Sequence, residues 1–275
     1  MGFRKLCSCI LASGGILAAV NGSRAAEPDP RLGIHIGLES FRWVEEDPAN
    51  TSRNLLVERG ERIAGSLSWD NLAREGEGQI HRLLGRAYHQ EVVYDGETQD
   101  GRPVETETEY TGALVEGRIG QRLAVSGAPL GLDVLGGVGL EVWNRWIKDT
   151  RIDDGAVVSG YEETYGVLYL KGGLGVAELS AGAWFGRAEV GIKYPLEIRE
   201  EIRELDASLR PEERTSLYAV AEIAHTVIQG RDLGVTLYYE SYRFGLSPTT
   251  SSTIGPVRQP ESDMDVLGVQ VGLFF

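Results

Sequence analysis

The sequence predicts an all-β fold, a transmembrane antiparallel up-and-down β-barrel of about ten strands after a cleaved signal peptide. Three observations predict it. Apolar and polar residues alternate with period two along most of the chain. The segments between the alternating stretches differ in length, long after every odd stretch and shorter after every even one. No window of the mature chain holds 18 consecutive apolar residues, which excludes a helical membrane protein but not a barrel, whose strands are only half apolar.

The first element is a removable address over residues 1–25. Arg4 and Lys5 give it a positive start, Leu6 to Val20 is a short apolar stretch, and Ser23-Arg24-Ala25 places small residues where a signal peptidase reads. The apolar stretch falls short of the roughly 20 residues a spanning helix needs. Of the 275 residues, 27 are Lys or Arg and 41 are Asp or Glu, a net charge of −14. Cleavage after Ala25 removes Arg4, Lys5 and Arg24 but no acid, leaving 24 basic and 41 acidic residues, a net −17. Such a balance argues against a nucleic-acid partner. Cys7 and Cys9 leave with the address, so the mature chain has no disulfide and no thiolate metal site.

Residues 26–275 read as one barrel domain, with strands expected near 32–43, 59–70, 79–94, 107–122, 129–145, 160–171, 175–194, 214–227, 232–245 and 264–275. The fifth shows the pattern well. Leu132, Val134, Val138, Leu140 and Val142 share one face, while Asp133, Gly137, Gly139 and Glu141 share the other. Long connections are expected at Val44 to Glu58, Asp95 to Thr106, Trp146 to Ser159, Pro195 to Glu213 and Leu246 to Asp263. Short ones are expected at sites such as Gly172 to Leu174 and Ile228 to Arg231. An even strand count puts both termini on one side. Phe41, Trp43, Tyr94, Tyr110, Trp143, Trp146, Tyr161, Tyr194, Tyr218, Tyr242 and Phe244 fall near the long-connection ends. Trp69 and Phe275 fall near the other end, and Trp184 near neither, so the rings are expected to mark the two membrane–water boundaries. Within 195–214, Ile198, Ile202, Leu205 and Leu209 recur at helical spacing, predicting a short helix.

The last strand carries a resemblance. Leu267, Val269, Val271, Leu273 and Phe275 share one face and the chain ends on the aromatic residue. This terminus resembles the assembly signal of bacterial outer-membrane β-barrel proteins. The resemblance implies the outer membrane of a Gram-negative bacterium, with periplasmic termini and extracellular long loops. It also implies the barrel-assembly machinery as a partner during biogenesis, and outer-membrane lipids and lipopolysaccharide as lasting neighbours.

Parity places Glu39, Arg86, Glu116, Arg118, Asp133, Glu141, Arg187, Glu189, Lys193, Glu222, Glu240 and Gln270 inside the barrel. Acyl chains would not tolerate these charges, since one Arg or Lys at mid-depth costs roughly 2–4 kcal/mol. Inside, Glu and Arg can pair. A barrel of about eight strands is just wide enough for side chains to fill, and ten leave somewhat more room. Glycine, 36 of 275 residues, suits a small, strongly twisted cylinder.

Enzyme motifs are absent. Gly173-Leu174-Gly175 lacks the rest of a dinucleotide-binding loop, and neither HExxH nor GxSxG occurs. Ten strands resemble the omptin outer-membrane proteases in size. That family uses an Asp pair facing an Asp-His pair. Asp263-Met264-Asp265 has the first spacing, but no Asp lies two residues before His35, His81, His89 or His225. The His-x-Ser of the outer-membrane lipid A deacylases is missing as well. His35 and His225 are expected to be rim or interior hydrogen-bonders. Glu45, Glu46, Asp47 and Asp153-Asp154-Gly155 lack the ligand spacing of a calcium loop and read as solvated turns. No cofactor and no metal are expected. The loop Ser247 to Glu261, rich in Ser, Thr and Pro, reads as mobile and displayed at the surface.

Three functions fit. The first is a structural or surface-binding barrel with a largely filled, charge-lined interior, its surface ligand unspecified. The second is a narrow passive porin-like channel. The third is an outer-membrane enzyme whose site is not recognised.

Overall fold

Ten long strands form the wall in a computed structural model that describes residues 30–275 apart from 49, 72–76, 99–100, 153–154, 179–182 and 229. The expected signal peptide with Cys7 and Cys9, and the Asp153-Asp154 pair, lie outside the described residues. The strands are β1 (Arg31–Asp47), β2 (Asn50–Asp70), β3 (Gly78–Glu97), β4 (Pro103–Ala124), β5 (Leu130–Ile147), β6 (Glu162–Glu178), β7 (Trp184–Ile202), β8 (Ser216–Ile228), β9 (Arg231–Phe244) and β10 (Ser262–Phe274). Each pairs antiparallel with its neighbours in the chain, and β10 closes on β1 with Leu38 opposite Val269. Closure leaves no wall edge unpaired. Leu32 N–H donates to the Phe275 carbonyl at 3.0 Å and Phe275 N–H to the Leu32 carbonyl at 2.9 Å, which ties the start of β1 to the residue after β10. Among the described residues there is no helix.

The alternation becomes an inside and an outside. Leu32, Ile34, Ile36 and Leu38 of β1 point out, as do Leu267, Val269, Val271 and Leu273 of β10 with Phe275 just after it, and Val115 and Ile119 of β4. Ile36 and Val115 are each 67% exposed. A continuous ring of bare branched side chains is a surface for acyl chains, not water. On β4 the outward positions from Ala113 to Leu123 are apolar except for Gln121, about 34 Å of strand at roughly 3.4 Å per residue, or about 25 Å of height at a tilt near 40°. The strand continues beyond this belt to Pro103, with Glu105, Glu107 and Glu109 outward. We call that part the collar, its side of the barrel the collar end, and the opposite side the terminal end.

Several sequence expectations are corrected. The polar segments expected as long loops after the first and third strands are strand instead. β1 and β2 run on to Asp47 and Asn50, and β3 and β4 to Glu97 and Pro103. Polar residues on both faces there reflect a ladder that has left the apolar belt. Gly172 to Leu174 is not a turn but the middle of β6, opposite Gly191 and its neighbours on β7. The helix expected within 195–214 is not formed. β7 continues to Ile202 and pairs back with Ala207–Leu209. Pro195, which has no N–H to give the ladder, faces Tyr169 where the register shifts. The loop from Ser247 to Glu261, expected to be mobile, holds a hairpin of Thr250–Ser252 with Gly255–Val257. It is tied down by Thr253 N–H to the Leu205 carbonyl at 3.0 Å and Ser247 N–H to the Gln259 carbonyl at 3.0 Å.

The rings also differ from expectation. Phe41, Trp43, Tyr110, Trp143, Tyr242 and Phe244 point inward and are buried. Tyr218 is inward too, deeper in the barrel. Parity decides this, because each shares the inward register of its strand. Trp146 and Tyr194 remain outward, and Trp184 joins Trp69 and Phe275 at the terminal end.

Candidate functional site in the barrel interior

The inward face of every strand carries residues that could not meet lipid, and in the closed wall they meet one another. In the terminal half the contents are ion pairs. Lys171 of β6 contacts Glu116 of β4 at 2.9 Å and Glu240 of β9 at 3.5 Å. β4 and β9 are diametrically opposed in a ring of ten, so this single ammonium spans the lumen. Arg187 of β7 reaches Asp70 on the opposite strand β2 at 3.4 Å and Glu222 at 2.8 Å. Arg86 holds Glu240 at 3.0 Å, which also accepts Lys193 at 3.2 Å. Glu189 receives Arg82 at 2.6 Å, Arg118, and the Tyr218 hydroxyl at 2.5 Å. Arg118 also lies 3.0 Å from Glu116. Glu39 holds Arg62 at 2.7 Å and accepts the Tyr238 hydroxyl at 2.6 Å. Asp133 pairs with Arg122 at 2.6 Å, and Gln270 accepts the Ser66 hydroxyl at 2.7 Å.

Between the ion pairs lies a cavity of about 80 Å³. Its walls include Arg82, Arg86, Arg118, Lys171, Arg187 and Glu240. A second cavity of about 140 Å³ sits at the terminal end beside Arg31, Asp232 and Phe274.

In the collar half the interior is aromatic. Trp143 and Tyr165 stack at 4.9 Å, Tyr242 and Phe244 at 6.0 Å, and Trp43 meets Tyr165 edge-on at 5.5 Å. Glu141 accepts hydroxyls from Tyr88 at 2.8 Å and from Tyr242, which joins β3, β5 and β9 across the barrel. Above this layer one guanidinium, Arg145, holds Glu163 at 2.7 Å, Glu58 at 3.0 Å and Glu45 at 3.1 Å. Glu45, expected as a solvated turn residue, belongs to this inward set.

A recurring pair organises the lumen. Tyr88, Tyr169, Tyr218 and Tyr238 lie directly across the ladder from Gly112, Gly139, Gly191 and Gly268. In each pair the ring fills the space a side chain at the glycine would need, and the hydroxyl donates to a lumen glutamate. These four of the 36 glycines answer to this close approach.

Sequence reasoning missed Arg31, Glu58, Arg62, Asp70, Arg82, Arg122, Arg145, Glu163 and Lys171, all buried inside. Parity would have found Arg82, four residues before Arg86 on the same face. Arg62 was obscured by Arg59 and Glu61, which face outward above the belt, so charge alone does not mark the inner face there. Lys171 reads in the sequence as the edge of the turn expected at Gly172 to Leu174.

The other sequence candidates fall elsewhere. His35 lies inside at the terminal end, 3.0 Å from the Ser68 hydroxyl, whereas His225 faces outward with its ring 4.4 Å from that of Trp184. Asp263 and Asp265 face outward on β10. Asp265 binds Arg243 at 2.7 Å and accepts the Tyr239 hydroxyl at 2.7 Å. On the outer face of the collar Lys148 bridges Glu91 at 2.5 Å and Glu107 at 3.1 Å. These hydrogen bonds hold the lysine above its ordinary range, and the bond from Lys148 holds the Glu91 carboxyl below its own.

No protein-family model matches the chain, and neither does any curated protein sequence. Solved structures do. The outer membrane protease OmpT from Escherichia coli superposes with a TM-score of 0.56 at 12% identity, over 90% of this chain and 97% of that one. A mutant of the monoaromatic hydrocarbon channel TodX follows at 0.41 and 8%, over 90% and 91% of the two chains. The translocator domain of the autotransporter NalP from Neisseria meningitidis gives 0.39 and 9%, over 89% and 88%. The likeness to OmpT is one of fold, and the fold is that of an outer-membrane β-barrel, all-β, antiparallel and closed by ten strands.

Proposed function

We propose that this chain is an outer-membrane barrel of structural or surface-binding type in a Gram-negative bacterium, with a filled, non-conducting interior. In this reading the terminal end faces the periplasm, and the collar and its hairpins face the medium, where they meet lipopolysaccharide and an extracellular ligand. The outward face of β10 from Leu267 to Phe275 serves the assembly machinery. The observation that carries the filled interior is the Lys171 bridge, which joins Glu116 and Glu240 from opposite walls. The aromatic layer above it adds a second closure. Planar-bilayer recording of the refolded barrel tests this. The expected record is a flat baseline, and stable single-channel steps would overturn it.

The polar cavity of about 80 Å³ favours a narrow passive channel as the second reading. Under that reading, charge reversal at Glu116 or Arg187 changes ion preference. We assign no catalytic role. This is supported by the separation of the four histidines from the Asp263–Asp265 pair, which faces outward against Arg243.

A further inference from the structure

The cavity in the terminal half has an uneven lining. Five cations reach it, Arg82, Arg86, Arg118, Lys171 and Arg187. Four carboxylates face them, Asp70, Glu116, Glu222 and Glu240. Arg82 and Arg118 both bind Glu189, with Arg82 also 3.4 Å from Asp133 and Arg118 also 3.0 Å from Glu116. The hydrogen-bonding balance is uneven in the same sense. The nitrogens Arg82 Nε, Arg86 Nε and Gln270 Nε2 are buried donors with no acceptor, and Thr236 Oγ1 and His35 Nδ1 are unpaired beside them. Among the described carboxylate oxygens that line the chamber, Asp70 Oδ1 and Glu116 Oε1 are unpaired, and the latter lies 3.0 Å from Arg118 Nε. Each unsatisfied buried donor costs roughly 1–3 kcal/mol. Water would serve donors and acceptors alike. The surplus of unpaired donors favours an occupant that accepts hydrogen bonds, and the cations that line the space favour one that carries negative charge.

We propose that this chamber is a binding site for a small inorganic anion of halide size, held chiefly by Arg82, Arg86, Thr236 and Gln270. The space of about 80 Å³ admits such an ion with a water or two, given roughly 30 Å³ per water. Entry is from the terminal end. There Arg31 lines the second cavity, lies 3.5 Å from both Glu222 and Asp232, and stacks over Phe274 at 4.0 Å. Glu222 lines the chamber itself, so Arg31 stands at the passage between the two spaces. The aromatic layer lies on the collar side. The site does not depend on whether the barrel conducts.

The test is thermal unfolding of the full barrel in detergent, with chloride or bromide replacing gluconate at constant ionic strength. A saturable rise in midpoint with chloride and bromide is expected. The double variant Thr236→Val with Gln270→Leu keeps every lumen charge, and loss of two hydrogen bonds raises the half-saturating concentration about tenfold. Crystals grown in bromide show an anomalous peak in the chamber. If parent and double variant respond identically, or the bromide crystal holds only waters there, the proposal is wrong. Should the variant not refold, the parent's bromide crystal decides.

Discussion

Tyr169 occupies the space that a side chain at Gly139 would fill, and its hydroxyl donates to Glu116 at 3.0 Å. The two residues sit directly opposite on β6 and β5. A bare α-carbon on one strand is therefore what lets a ring on the next lie close to the wall and deliver its hydroxyl into the lumen. Gly139→Ala should destabilise the barrel by about 1–3 kcal/mol through overpacking. Tyr169→Phe, which keeps the ring, should cost only about 0.5–1.5 kcal/mol. Equilibrium unfolding from lipid vesicles in denaturant checks the order, and an equal or reversed cost would remove the pair from the packing argument.

Lys171 offers a sharper contrast. Replacing it with Met removes the cation that Glu116 and Glu240 share, leaving Arg118 on the first and Arg86 and Lys193 on the second, which should cost about 1–3 kcal/mol. Adding Glu116→Gln to that variant should recover part of the loss, because the carboxylate that lost its ammonium is then neutral and Arg118 keeps Glu189. A double-mutant cycle measured by the same unfolding would show no coupling if the lumen were open to water around this site.

The belt makes a depth-dependent prediction. Val115→Arg, on the outer face inside the apolar ring, should cost about 2–4 kcal/mol in bilayers. Thr111→Arg, outward on the same strand beyond the ring, should cost about 0–1 kcal/mol. Equal costs would mean that β4 does not cross the hydrocarbon where the outward side chains change character.

On the collar, Glu91 titrates below the ordinary glutamate value because Lys148 donates to it. Its stabilising contribution is present above the unfolded-state pKa and is lost as pH falls through the lower folded value. Carboxyl-resolved NMR titration should return Glu91 to the ordinary value in Lys148→Met. An unchanged midpoint would show that the exposed pair is not formed in solution.

Much of this architecture was legible beforehand because period-two alternation needs no knowledge of neighbours. Once Leu132 and Val134 were outward, Asp133 had to be inward, and the same step reached Glu39, Arg187 and Glu240. Legibility failed where lipid stopped selecting. Along Arg59, Glu61 and Arg62 both faces are polar, so the outer Arg59 and the inner Arg62 look alike in sequence. The interior aromatic layer was misread for a related reason. Trp43 and Trp143 lie near strand ends in sequence, as boundary rings would, but their parity points inward. The helix expected from Ile198, Ile202, Leu205 and Leu209 failed because three of them serve one small cluster, with Ile202 and Leu209 packed beside Ala207 and near Leu205. Which partner each lumen charge takes depends on ring order and radius, and alternation carries neither.

The wall does not stop where the acyl chains do. β4 keeps pairing with β3 as far as Pro103 opposite Glu97, about 26 Å of ladder beyond Thr111 at roughly 3.3 Å per residue. The hairpins at its rim therefore ride on a stiff pedestal and not on slack tethers. Whatever approaches the collar end meets them at a fixed height above the bilayer, and a pull on a hairpin is carried down hydrogen-bonded strands into the lipid-embedded cylinder.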